Sequence, residues 1–484
     1  MIRRPRASLT LAALLAGAAL ASVPLAAQTA RTIGASEKAE GAKAHPQLVA
    51  EFGGAMTGAS ANYVETVGKN IAIQSGLSNA RDDFTVTLLN SSVNNAFAIP
   101  GGYVYTTRQL VALMNNEAEL AGVLGHEVAH VAARHSAKRQ KTATRNSILG
   151  ILGQVLGSVV GGGFGNLIAQ GAQYVPQVLT LQYSRGQETQ ADNLGIQYLR
   201  SAGYDPRAMS TVLASLANQN ALEARIKGTS NRVPEWASTH PDPASRVRAA
   251  AARAGNVTGI TNRDTFLARI DGLLYGDDPR QGVVEDGVFI HPDFRFTFQA
   301  PRGFYLVNGT RSVSIGGQSG KGELTTAPFS GNLETYVRSI FSALGQANQA
   351  QLAPQTLQRT TVNGLPAAYG MARVNSGNGQ VDVTVFAYEF ANNQAFHFMT
   401  ITAAGQAAVF NPMYASMRRI SASEAGAVRP RKVDVVTVGA RDTVSSLANR
   451  MAYSNYKLER FLVLNGMTNS SRLTAGQKVK IVTY

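Results

Sequence analysis

At 484 residues, with 44% hydrophobic and 15% charged residues, the chain is long enough for two to four domains with their own cores and too apolar to be a disordered polymer. It contains no cysteine, which excludes disulfides and a lipid-bearing N-terminal cysteine. Its formal net charge of +15 at pH 7 calls for an anionic partner, whose kind depends on the compartment.

The N-terminus addresses the compartment. Arg3, Arg4 and Arg6 precede an apolar run from Leu9 to Leu20, and small residues follow with a cleavage position after Ala27. This order predicts an export signal over 1–27, by the ordinary or the twin-arginine route, and not a membrane anchor. Its removal takes away three arginines and no acid, leaving +12. For a chain exported to the periplasm the expected anionic partners are envelope polymers, with no role for nucleic acid. The rest of the sequence has no unbroken 18-residue apolar span, so no integral membrane anchor is expected.

Along the chain, "NNAFAIPGGYVYTT" (94–107) alternates Phe97, Ile99 and Tyr103 around Pro100-Gly101-Gly102, which predicts a strand and hairpin. Next comes "AGVLGHEVAHVAARHS" (121–136), with three of the seven histidines. Asn116 is placed to cap this helix, with Glu119 three residues on to return the bond. His126 and His130 are four apart, so they project from one helix face, and that spacing lets two imidazoles bind one Zn2+. Glu127 lies between them, placed to act as a base on a water held by the metal. His135 is five residues beyond His130, where the metzincin pattern needs six, and is expected on the solvated side of the helix.

From Ser147 to Gln177 the chain carries no charged residue and is broken by Gly161, Gly162 and Gly163. Two readings stay open: an apolar hairpin over the cleft, or two short core helices. Beyond it, Ser184 and Gln187 form a capping-box pair for a helix that ends near Gly203 and Pro206. Within it Glu188 and Asp192 share one face, and small Ala191 and Gly195 permit close approach to another helix. Glu188 can complete a His2Glu zinc site, and Asp192 can accept the second N–H of a ligating imidazole.

HExxH followed by E-x-x-A-D resembles the zinc metallopeptidases related to the CAAX-prenyl endopeptidase and the bacterial heat-shock membrane protease. The soluble periplasmic members, the beta-barrel assembly-enhancing proteases among them, resemble it over roughly Gly41 to Arg253. The resemblance implies that Asn95, Ala96, Phe97 and Ala98 form an edge strand that holds an extended peptide. It also implies that His240 of "STHPDPASRV" approaches the metal as a gate or transition-state donor, with Arg246 beside the site.

After about Asp271 the pattern becomes mixed. "FRFTFQAP", "VDVTVFAYEF" and "AFHFMTITAA" alternate like strands, and "NLETYVRSIFSAL" reads as a helix. This predicts an α+β accessory domain over 283–423, distantly resembling PsbP-like domains and without a visible catalytic set. A basic linker is expected over 424–432. Residues 433–484 resemble a lysin motif (LysM) domain, a β-α-α-β unit, through Val435, Val438, Asp442-Thr443, Leu464-Asn465-Gly466 and "LTAGQKVKI". That resemblance implies a glycan groove around Asp442, Asn465 and Thr468. The family usually has glycine where Arg441 stands here.

The expected architecture is multidomain: a mainly α zincin-type metallopeptidase domain (28–272) with a small edge-stranded sheet, then the α+β domain, then the LysM-like domain. The expected function is a zinc endopeptidase of the envelope acting on unfolded or misassembled polypeptides. Candidate partners are peptidoglycan or another envelope glycan and the outer-membrane assembly machinery. Two alternatives stand: a cell-wall binding factor or chaperone with a self-gated metal site, and a hydrolase of cell-wall peptide crosslinks.

Overall fold

The computed structural model describes residues 32–77, 79–135, 183–228, 240, 243–347, 352–376 and 379–484. The export signal expected over 1–27 and the apolar segment 147–177 lie outside the described residues. No helix among the described residues is long and apolar enough to cross a membrane.

The first domain is helical around a small sheet. Strand Thr85–Leu89 runs parallel to Tyr103–Thr107, which pairs antiparallel with Ala96–Ile99. The order places Ala96–Ile99 at an edge of this three-stranded sheet. The hairpin turns at Gly101 and Gly102, with φ of 91° and 84°, a conformation that only glycine adopts without strain. Helix Glu117–Ala132 carries the HEVAH sequence, and its Asn116 side chain accepts the Glu119 N–H. Glu119 does not return the bond to the cap. Its carboxylate accepts the Asn115 N–H at 2.7 Å and the Thr211 hydroxyl at 2.6 Å, because the third helix of the core, Ala208–Lys227, supplies a competing donor.

Helix Arg185–Ser201 begins with the Ser184/Gln187 capping box and packs lengthwise on the HEVAH helix. Glycines make the approach close. A Cβ on Gly195 would lie 3.2 Å from the His126 backbone nitrogen. This contact sets Glu188, two turns earlier, opposite His126 and His130. The apolar core under both helices includes Leu120, Leu124, Val128, Ile196 and Leu199, all essentially closed to solvent.

The middle of the chain builds two sheets. A seven-stranded antiparallel sheet runs from Thr356–Val362 at one edge to Tyr305–Asn308 at the other. Helix Leu333–Ala347 packs on one face through Val337 and Phe341. The other face meets a four-stranded sheet over an aromatic core of Phe289, Phe296, Phe298, Tyr388 and Phe398.

The last domain does not hang on a linker. The stretch 424–432 is taken up by a short helix, Ala422–Ala427, and the start of strand Arg431–Thr437. That strand pairs with Lys478–Thr483 on one side and with Leu274–Tyr275, just past the helical first domain, on the other. Lys480, fully buried, donates from Nζ to the carbonyls of Ala112 at 2.7 Å, Leu113 at 3.3 Å and Met114 at 2.5 Å. It thereby caps the C-terminal end of helix Arg108–Leu113 with a cation.

Candidate metal centre

Four side chains converge at the crossing of the two helices. One ligating atom each from His126, His130, Glu188 and His240 lies within 4.8 Å of the others, and all four residues are buried. His126 Nε2 and His130 Nε2 are 3.0 Å apart. Glu188 Oε2 lies 3.5 Å from His126 Nε2, and Oε1 lies 3.4 Å from His130 Nε2. His240 brings Nδ1 to 3.0 and 3.1 Å from the two Glu188 oxygens and 3.3 Å from His126 Nε2.

A second layer holds these groups. Asp192 Oδ1 is 2.9 Å from His126 Nδ1. A carboxylate only accepts, so His126 donates from Nδ1, and Nε2, which faces the cluster, is the nitrogen that a metal would take in exchange for its proton. Arg246 reaches Asp192 through Nε at 2.7 Å and Nη2 at 2.5 Å, and Glu188 through Nη1 at 2.7 Å. Tyr183 lies flat on the His130 ring, centroids 3.7 Å apart.

Burial opposes charge at His126, but the Asp192 and Glu188 carboxylates outweigh it and hold the imidazole at about 9. Burial also opposes the Glu188 carboxylate; the surrounding histidines overcome it and keep the group ionised well below the usual carboxylate range. At His130 burial prevails and pushes the ring well below its ordinary value, aided by the charge of His126. Glu127 is fully buried, and burial raises its carboxyl. His240 Nε2 lies 3.4 Å from its Oε1, and among the described residues neither of the Glu127 oxygens has a hydrogen-bond partner.

This donor set fits a divalent metal. Imidazole and carboxylate are the ligand types zinc takes up in hydrolytic sites, and their ligating atoms already face one another. A buried carboxylate without a hydrogen bond costs on the order of 1–3 kcal/mol or more, and Glu127 stands beside the cluster in that state.

The structure brings together His126, Glu127, His130, Glu188, Asp192, His240 and Arg246. Asn95, Ala96, Phe97 and Ala98 lie at the sheet edge beside the HEVAH helix, all buried. His135 departs from expectation. It is buried with no exposed surface, not solvated, because Arg134 takes a left-handed φ of 54° and turns the chain back onto His130. His135, Gln190 and Tyr183 are the site residues that sequence reasoning missed. No local pattern signals a ring brought in by one left-handed residue, or one seated just before a helix cap.

In the last domain Asn465 does not face a groove. It is buried, its amide donating to the Phe461 and Lys480 carbonyls and accepting the Lys480 N–H at 2.8 Å. Its side chain is consumed in holding the strand that carries Lys480. Asp442 accepts the Gly439 N–H at 2.8 Å, and Thr468 is exposed beside Ser470 and Ser471.

Family models match two stretches of the chain. Residues 59–254 match peptidase family M48, and residues 436–482 match the LysM domain. A beta-barrel assembly-enhancing protease of Yersinia pestis is 32% identical over 223 residues, covering 45% of this chain and 44% of that protein. A mitochondrial metalloendopeptidase OMA1 of Schizosaccharomyces pombe is 31% identical over 216 residues, covering 44% of this chain and 59% of that protein. The chain thus spans about half the length of the curated relatives it matches. The PsbP solution structure from Synechocystis is matched at a TM-score of 0.23 and 11% identity, over 27% of this chain and 91% of that one, too low to carry an argument. The converging histidines and glutamate therefore lie within the stretch that matches peptidase family M48, and Lys480 within the stretch that matches the LysM domain.

Proposed function

We propose that this chain is a zinc-dependent endopeptidase of the periplasm that hydrolyses peptide bonds of unfolded or misassembled envelope proteins. The observation that carries the reading is Glu127, a fully buried carboxylate without a hydrogen-bond partner beside four converging donors. His126, His130 and Glu188 would hold the ion. When bound, zinc supplies Lewis acidity that polarises a peptide carbonyl and acidifies a water. Glu127 takes the proton of the attacking water and passes it to the leaving amine nitrogen. A carboxyl raised by burial is suited to both transfers, since it neither holds the proton too weakly to accept it nor too tightly to return it. Asp192 and Arg246 keep His126 and Glu188 in place. The edge strand at Asn95 to Ala98 would pair with the backbone of an extended peptide with little regard to its sequence.

The LysM domain, through the loops at Asp442 and Thr468, would bring the chain to peptidoglycan or another envelope glycan. The relatives' name suggests outer-membrane assembly as the setting. Cosedimentation with purified peptidoglycan checks the first point, and recovery of the protein only in the supernatant would remove it.

One observation favours a second reading. His240 stands among the donors, in contact with both Glu188 and His126. A site closed by its own histidine would be inactive at rest, and the protein would then act as an envelope binding factor or chaperone. The test is incubation of zinc-loaded protein with an unfolded polypeptide, beside Glu127→Gln and His240→Ala. Cleavage by the parent and not by Glu127→Gln supports the peptidase. Cleavage by His240→Ala alone supports the gate, and cleavage by none sinks the peptidase.

A further inference from the structure

We infer that Gln190, His135 and His130 form a tautomer lock, in which the exposed amide of Gln190 sets through His135 which nitrogen of His130 is left open for a metal. The inference rests on the metal-site reading above and deepens it.

His130 Nδ1 and His135 Nδ1 are 2.8 Å apart, and His135 Nε2 is 3.1 Å from Gln190 Oε1. The chain of three has two proton registers. In one, the Gln190 oxygen accepts from His135 Nε2–H. His135 Nδ1 is then an acceptor, His130 donates from Nδ1, and His130 Nε2 keeps its lone pair. In the other, Gln190 presents its NH2, every proton shifts, and His130 Nε2 carries hydrogen and cannot ligate. Ligation requires the first register, because the nitrogen of His130 that faces His126 and Glu188, at 3.0 and 3.4 Å, is Nε2. At His126 the same task falls to Asp192, which can only accept. At His130 the contact on Nδ1 is not a carboxylate but the His135 ring, and a neutral relay takes that place.

The backbone is bent to build the relay. Arg134 occupies left-handed φ at 54°, a conformation strained for any residue but glycine. Its guanidinium is tied to the Thr32 carbonyl at 3.2 Å. The result is His135 with no exposed surface, its ring edge-on to His130 at a centroid distance of 5.0 Å. His135 and Gln190 are positioning residues, since they act through His130.

Gln190 is exposed, so its variants test the relay without disturbing the core. Gln190→Lys offers only donors and imposes the wrong register; Gln190→Glu offers only acceptors and imposes the right one. Zinc dissociation constants from chelator competition, and ring 15N shifts of histidine-labelled, metal-free protein, are measured for both at low and high salt. Gln190→Lys is expected to weaken zinc by about 10–100-fold and to move His130 from the Nδ1–H to the Nε2–H form, with Gln190→Glu matching the parent in both. The tautomer shift should persist at high salt, where a simple charge effect is screened. His135→Phe, which keeps a ring without an acceptor, should lose zinc like Gln190→Lys, and His135→Gln should recover most of it. Equal affinity and the same His130 tautomer in parent and Gln190→Lys would overturn the lock while leaving the metal site intact. A parent that takes up no zinc would overturn the metal reading and the lock together.

Discussion

His126 in the first domain and His397 in the middle domain are each 3% exposed, yet their surroundings drive them in opposite directions. His397 meets the Tyr336 hydroxyl at 2.8 Å among apolar neighbours, and burial alone pushes it down to about 4. At His126 the same burial is overcome by two carboxylates, and the ring is held at about 9. The residue type and the depth are the same. What differs is whether acceptors were buried with the ring and whether its second nitrogen converges with other donors. Burial makes a histidine inert; burial with a carboxylate behind it and a shared focus in front makes it a ligand.

The comparison breaks most sharply at Glu127. Glu127→Gln should reduce cleavage by about 10²–10⁴-fold while zinc content, read by metal analysis, stays at the parent level. His397→Gln should change neither. A Glu127→Gln protein that cleaves normally would place the proton transfer elsewhere.

Lys480 is a third kind of buried ionisable group, donating to three of the chain's own carbonyls with the Glu119 carboxylate also acting on it. Lys480→Met should cost about 3 kcal/mol in urea denaturation, since it uncaps a helix end and leaves the buried Glu119 without its cation. Adding Glu119→Gln should restore part of the loss. An unchanged midpoint in the single variant would mean that the seam contributes little to stability.

His397 predicts an acid limit for the middle domain. Its folded value of about 4 lies below the unfolded 6.5, so between these the unfolded chain binds the proton and the folded chain does not. The contribution is fully present above pH 6.5 and is lost as pH falls through 4, roughly 3 kcal/mol at most. His397→Gln should flatten that part of a pH–stability curve, and an unaltered slope would remove His397 as its source.

The smallest expected effect lies behind the first ligand. Asp192→Ala should weaken zinc binding by about 10–100-fold in chelator competition without abolishing it. Loss no greater than that of an exposed acid such as Asp264 would reduce Asp192 to a helix-packing residue.

How much of this was legible in the sequence depends on the range of the interaction. The i,i+4 pair His126 and His130, and the helix bearing Glu188 and Asp192, follow from local periodicity and capping. The hairpin at Pro100 to Gly102 follows from its turn residues. His240 and Arg246 came only through family resemblance, because a residue more than a hundred positions away carries no spacing signal. His135 was misplaced because one left-handed residue reversed the chain. The linker expected over 424–432 failed because Leu274–Tyr275, too short to read as a strand, borrows Arg431–Thr437 to complete a sheet. Asn465 looked like a ligand-facing amide only while its partner strand was unseen.

That borrowed pairing changes what the last domain is mechanically. A module on a flexible linker is a tether, and its partner swings through a radius set by linker length. A module stitched into its neighbour's sheet and pinned by a buried ammonium is a handle. Whatever grips it also fixes the bearing of the cleft, so the reach of the chain from that grip is one molecular radius, and the direction from which a polypeptide can enter is set by the surface to which the handle is held.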